Sequence, residues 1–577
     1  MIKIRPFLLF TTLFLIFYSC DTTKSKKFDY NIRFEYSNGK ETATYDEMIA
    51  FYQSAEENSP FVNIETCGKT DSDLPLHLVT YAKNSSPEKP LHLLINNGIH
   101  PGEPDGIDAS MLLLRDLINE KIELPNNVIL HIIPAYNLGG MLNRNSTTRA
   151  NQNGPKDYGF RGNARNYDLN RDFIKMDTKN MEAFAEIYHN INPDVYVETH
   201  VSNGADYQYT LTHLLTQHNR LGHGLGEFIE KEFKPELEQN LRDKDLWITP
   251  YVNVFGRTPE AGFSQFLDSP RYSTGYTSLW NTLGLMIETH MLKPYDERVY
   301  KTKAMLESII ELSAQHQDQI KSKREENFKT FNNDSFYKFD YVVDSTQFET
   351  LDFKGYEAKY INSKITDQKR LKYDTTQPFV KPVKYYNHYK AKDSLRIPDY
   401  YIVKAAWKKV IEKLNINQVK MQQLEKDTLI KVERYRIKDY KTVNSPYEGH
   451  YLHYNTEVIT IKDSVLIKKG DWLIPTQQRG IKYIVDVLEP ELKDSFFNWN
   501  FFDSILQRKE GFSAYVFEDY AEEFLKNNPD VNLDFIMKKT SDEAFRNNAY
   551  AQLSWLYQQS PLYEKAHLNY PIFRVFD

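Results

Sequence analysis

The chain has 577 residues, more than one ordinary domain holds, so two to four domains are expected. Its 72 basic and 79 acidic residues leave a net charge of −7, which argues against nucleic acid as a partner. Hydrophobic residues at 41% exclude wholesale disorder, and a total of 2 cysteines excludes a disulfide framework or a Cys-rich zinc module.

The first 20 residues, MIKIRPFLLFTTLFLIFYSC, read as an export signal. Lys3 and Arg5 give a positive start, and Phe7 to Tyr18 is an apolar run too short to span a bilayer comfortably. Ser19 before Cys20 and polar residues after it resemble a bacterial lipoprotein signal, with a lipid on Cys20 as the membrane anchor. A plain signal peptide is the alternative. Either way the expected location is outside the cytosol, periplasmic or at the cell surface. Residues 21–39 are expected to be a tether, and Cys67 then has no disulfide partner.

Residues 40–325 alternate short apolar runs with helical patterns. Leu91–Asn96, Val128–Ile133, Val195–Thr199 and Leu283–Ile287 read as buried strands. Ile107, Met111, Leu114 and Ile118 recur at helical spacing, so 104–119 is expected to be an amphipathic helix. Met181, Phe184 and Tyr188 mark another, ending near Asn192-Pro193, and 299–323 reads as a long helix with a charged second half. The fold class expected is α/β, a mixed twisted sheet flanked by helices. The polar stretch 316–335 is expected to be a domain boundary. Beyond it, 335–577 is rich in Tyr and Lys, with strand-like runs (EVITI, VLIKK, GDWLIP, IKYIVDVL) and short helical stretches at 402–414 and 517–527. A second α+β or β-rich domain is expected there.

Four features carry chemistry. His100-Pro-Gly-Glu103 follows the strand Leu91–Asn96, and a His and a carboxylate three apart can close on one metal. Alone this is weak, because a surface turn before a helix gives the same pattern. The loop Arg161-Gly-Asn-Ala-Arg-Asn-Tyr-Asp168-Leu-Asn170-Arg171 can clamp a small carboxylate through guanidinium and amide donors, or can simply be a polar surface loop. His200 and Glu288 each follow an apolar strand, where open α/β sheets collect ligands. For Glu288 a solvent-facing carboxylate, or one paired with Arg298 or Lys293, is the plainer reading. His213, His218 and His223 fall five apart and share no helix face, and Cys67-Gly-Lys-Thr lacks the earlier glycine of a P-loop, with Asn63 in its place.

Taken together, HPGE, then RGNARNYDLNRDF, then a strand ending in His, then one ending in Glu, resemble the zinc carboxypeptidase (metallocarboxypeptidase) family in order and spacing over residues 45–325. The resemblance implies that His100, Glu103 and His200 hold one zinc ion. It implies Glu288 as general base, Arg161 as the group that polarises the scissile carbonyl, and Asn170 and Arg171 as binders of the substrate's terminal carboxylate. Asp168 would orient His100 from behind, and either Tyr272 or Tyr276 would be the family's mobile tyrosine.

The expected activity is carboxypeptidase action on peptides. A deacylase cleaving N-acyl amino acids, a cell-wall peptide amidohydrolase with the same site, and a silent binding module are the alternatives.

Overall fold

A computed structural model describes residues 27–83, 89–330 and 335–576. The expected signal and Cys20 lie outside the described residues. Among those described, no helix is long and apolar enough to cross a membrane. From Phe28 onward the chain is not a tether. Phe28, Ile32 and Phe34 are buried in the main core, and the Phe28 backbone exchanges two hydrogen bonds with the Asn119 amide.

The frame is a mixed sheet of eight strands: β1 (Val62–Lys69), β2 (Pro75–Tyr81), β3 (Leu91–Asn96), β4 (Val128–Ile133), β5 (Val195–Ser202), β6 (Leu211–Leu215), β7 (Ile248–Pro250) and, after the two-residue strand β8 (Phe263–Ser264) in another sheet, β9 (Leu283–His290). Their spatial order is β1-β2-β4-β3-β5-β9-β6-β7. The central run β4-β3-β5-β9 is parallel, and antiparallel pairs flank it. These central strands are apolar on both faces because helices cover both sides.

The helix Asp105–Ile118, which links β3 to β4, buries its apolar residues in a core with the helices Tyr45–Asn58 and Tyr295–Gln315. The helix Lys179–Ile191, which links β4 to β5, buries Met181, Phe184 and Tyr188 on the other face. The chain thus leaves β3 on one side for β4 and returns on the other for β5. In open α/β sheets such a reversal leaves a crevice at the carboxyl ends of the strands. Gly98 shapes the turn out of β3 with φ +63°, a conformation that disfavours side chains.

The expected α/β class is the observed one, and an extra β-rich region follows it. Several local expectations change. β5 and β9 run past Thr199 and Ile287, so His200 and Glu288 lie inside strands as register partners. The long helix is two, Tyr295–Gln315 and Gln317–Thr330, and the second fills most of the polar stretch 316–335. EVITI and the start of VLIKK belong to one long strand, His453–Ile467, which pairs with Thr428–Thr442. Residues Tyr400–Val403 are a strand, with the helix starting at Lys408. IKYIVDVL is the helix Ile481–Leu488, not a strand. All eight of its residues are buried, Lys482 and Asp486 among them, and these two fall four apart on one face, a helical spacing that the β-branched run around them masks.

The later region shares its packing with the first. Leu169, Phe173, Phe184 and Tyr276 belong to one apolar cluster with Tyr401, Tyr483 and Trp499. β8 pairs in parallel with the end of the strand Lys369–Tyr386. A cluster crossing residue 335 ties the two parts into one cooperative unit. Calorimetry of the full chain is therefore expected to show a single unfolding transition, and a fragment ending at residue 330 is expected to lose it.

Candidate metal centre

β3, β5 and β9 lie side by side, and together they deliver four groups to the crevice. His100 and Glu103 come from the turn after β3. His200 sits on β5 with its Nδ1 3.1 Å from His100 Nδ1 and 3.0 Å from Glu103 Oε2. All three side chains are buried, and one ligand atom from each lies within 4.8 Å of the others. Two imidazoles and one carboxylate suit a catalytic divalent cation, since three protein ligands leave a coordination position open.

Hydrogen bonding sets the first imidazole. His100 Nε2 lies 2.9 Å from Asp168 Oδ1, and a carboxylate can only accept, so that nitrogen carries the proton. In the neutral ring Nδ1 then presents its lone pair to His200 and Glu103, as a metal ligand does. Burial alone would raise the Asp168 carboxyl, but His100 and Arg161 outweigh it and hold it well below the usual range. Burial works the same way on Glu103, where Arg149 and the imidazoles reverse it. For His200 burial disfavours the charged ring, yet hydrogen bonds to Glu103 and Glu198 push it up to about 10. A set this rich in negative charge around a shared centre fits a cation.

Glu288 is 9% exposed, and its Oε2 is a buried oxygen with no hydrogen-bond partner among the described residues. Burial pushes its carboxyl up to about 8, with His200 opposing and Glu103 adding to the shift. A carboxyl group poised near neutrality beside a metal set is the profile of a proton carrier. The plain pairing with Arg298 or Lys293 does not occur. Arg298 is buried on Asp105, and no ion pair of Lys293 with Glu288 is recorded.

The donors open into a cleft of about 290 Å³ lined by Arg161, Asn170, Arg171 and Tyr272, with Leu214 and Met286 among its apolar groups. Asn170 Oδ1 accepts from Ser273 N, which leaves Nδ2 facing His200 at 3.5 Å. Arg171 stacks 4.4 Å over the Tyr272 ring and is held by its contact to the Asn170 carbonyl. Arg161 grips Asp168 through Nε at 2.9 Å and reaches within 3.5 Å of Glu103.

Tyr276 is not in this cleft. It is fully buried in the other core, and its hydroxyl donates to Asn417 Oδ1 at 2.6 Å. The reason is local: Tyr272 precedes the helix Ser273–Ser278 in an extended conformation and swings toward the cleft, whereas Tyr276 lies within the helix.

Two site residues carry no mark in the sequence. Arg149 Nη1 lies 2.5 Å from Glu103 Oε1, closer to the metal carboxylate than Arg161. Nothing in the loop around it sets it apart from other arginines. Glu198 lies 3.7 Å from His200 Nε2 and accepts from Ser273 Oγ. Strand alternation is the one signal that could have found it, since positions 198 and 200 share a face of β5.

No family model matches the chain. Carboxypeptidase 2 of Trichophyton rubrum is 21% identical over 493 residues, which cover 80% of this chain and 84% of that protein. Carboxypeptidase 2 of Trichophyton tonsurans is 22% identical over 440 residues, 72% of this chain and 75% of that one. Among solved structures, a metallo-carboxypeptidase from Burkholderia cenocepacia aligns with TM-score 0.35 and 16% identity, covering 47% of this chain and 69% of that one. A metallo-carboxypeptidase from Pseudomonas aeruginosa aligns with TM-score 0.37 and 14% identity, covering 48% and 70%.

If Asp168 fixes the tautomer of His100, Asp168→Asn should weaken metal binding by about 10- to 100-fold. Competition against a chromophoric chelator measures this. Unchanged affinity would remove Asp168 from metal binding.

Proposed function

We propose that this chain is an exported zinc-dependent carboxypeptidase that removes residues from the free C-terminus of peptides. The observation that carries the reading is one cleft in which His100, Glu103 and His200 converge beside Glu288, with Asn170 and Arg171 on the wall. The carboxypeptidases to which the chain is related over most of its length support it.

A zinc ion on His100, Glu103 and His200 supplies Lewis-acid polarisation of the scissile carbonyl and lowers the pKa of the attacking water. Asp168 keeps the Nε2 proton of His100 in place. Glu288 takes the proton from the water and passes it to the leaving amine. Its buried setting keeps that carboxyl close enough to neutral to do both. Arg161, with Arg149 beside it on Glu103, supplies positive charge where the oxyanion develops.

Arg171 and Asn170 bind the terminal carboxylate, with the Tyr272 ring bracing the Arg171 guanidinium. A free carboxylate is thereby favoured, and an internal peptide bond is a poor substrate. Leu214 and Met286 give the last side chain an apolar surface. A second cleft of about 700 Å³ shares Arg161 and Asn203 with the first. That volume suits several peptide residues better than the acyl group of a short N-acyl amino acid. The N-terminal signal supports export, and a lipid on Cys20 would anchor the enzyme to a membrane.

Chelation should abolish hydrolysis of a blocked peptide such as acetyl-Ala-Ala-Leu, and zinc should restore it. Glu288→Gln should retain zinc by elemental analysis yet lose turnover by about 10²- to 10⁴-fold. Equal activity would remove Glu288 from the reaction. Arg171→Ala should raise KM for free-acid peptides and leave the weak cleavage of their amides unchanged; equal losses on both would sink the carboxylate role.

A further inference from the structure

The second cleft receives a carboxylate from the C-terminal region. The turn between the strands Thr428–Thr442 and His453–Ile467 reaches across to the catalytic loop, and Glu448 at its tip accepts a hydrogen bond from Asp168 N at 2.8 Å. The turn is fixed on three sides. Gly449 has φ +79°, and a Cβ there would lie 2.6 Å from the Tyr167 hydroxyl, so backbone presses directly on the catalytic loop. His450 Nε2 lies 2.6 Å from Asp177 Oδ2. Tyr447 stacks on Trp499. Glu448 itself is half-buried and lines the 700 Å³ cleft with Arg149, Arg161 and Asp168.

The charges of that cleft are otherwise matched. Arg149 pairs with Glu103, and Arg161 pairs with Asp168, which also serves His100. Among the described residues Glu448 makes no ion pair within 4.0 Å; burial and Asp168 oppose its charge, while Lys175 and Arg171 favour it only from farther off. One carboxylate is left over, on a rigid turn, at the wall of a cleft that joins the metal centre through Arg161.

This inference rests on the carboxypeptidase reading. With the terminal carboxylate on Arg171 and the last side chain against Leu214 and Met286, the scissile bond lies at the metal donors. The second cleft meets the first at Arg161 and Asn203, so it lies open to the residues that precede that bond. We propose that Glu448 is a specificity-determining residue that favours cationic side chains on the N-terminal side of the scissile bond. Selectivity for peptides with Lys or Arg before the last residue therefore comes from the C-terminal region, not from the loop that carries the catalytic groups. Desolvation strengthens the pairing, and like charge disfavours acidic peptides in the same place.

The test compares kcat/KM for acetyl-Lys-Lys-Leu, acetyl-Ala-Ala-Leu and acetyl-Glu-Glu-Leu in the full-length zinc enzyme. Wild type should prefer the lysine peptide over the glutamate peptide by at least about tenfold. Glu448→Gln keeps an acceptor for Asp168 N and removes the charge, so the lysine-to-alanine ratio should fall about five- to tenfold. Glu448→Lys should reverse the order of the charged peptides, and salt at about 0.5 M should shrink the wild-type preference. A uniform loss on all three peptides, with the ratios intact, would mean that Glu448 only positions Asp168, and would overturn the proposal. So would ratios that no variant changes. Wild type inert toward acetyl-Ala-Ala-Leu would instead bring down the carboxypeptidase reading itself.

Discussion

Two imidazoles and two carboxylates are held a few ångströms apart in a space nearly closed to water. Each charge there is tolerable only because another compensates it. Glu103 stays ionised against Arg149 and the imidazoles, while His200 carries opposite polarity toward Glu103 and Glu198. Asp168 stays ionised against Arg161 and accepts the Nε2 hydrogen bond of His100 from behind. Burial without partners would neutralise every one of these groups. Glu288 is the exception that gives the cluster its chemistry. Its partner-poor setting leaves the carboxyl able to exchange a proton at neutral pH.

The sheet makes that arrangement possible. Parallel strands place successive elements with their carboxyl ends together, and the reversal around β3 opens the space between them. His200 and Glu288 then meet as register partners on β5 and β9, and the turn after β3 brings His100 and Glu103 over both. Three segments far apart in the chain therefore need no long loop to meet. The rigidity of the strands also limits how far the donors can drift, which a metal centre requires.

Much of this is legible in the sequence. The four central strands and the two flanking helices announce themselves through apolar runs and helical spacing, and His100, Glu103, His200 and Glu288 follow the apolar runs, the last two still inside their strands. The tyrosines are not separable that way, because Tyr272 and Tyr276 share one short polar segment and only their tertiary surroundings tell them apart. Arg149 is invisible for a similar reason: its role is to reach Glu103, a tertiary fact. The helix Ile481–Leu488 reads as a strand because Ile and Val dominate so short a run, although Lys482 and Asp486 four apart carry the helical spacing. Glu448 lies 280 residues from the Asp168 amide it caps, so nothing local could link them.

The pairing of β8 with the strand Lys369–Tyr386 has a mechanical consequence. The segment between β7 and β8 contributes Tyr251, Asn253 and Phe255 to the cleft wall. Its far end is stitched into a hairpin of the later region, which runs out to residue 362 and back from 369. That hairpin is therefore joined by backbone pairing to the segment that leads to the mouth of the cleft. Substitutions that unpair Phe263 and Ser264 from Tyr385 and Tyr386 would loosen the far anchor of that rim segment without touching a cleft residue.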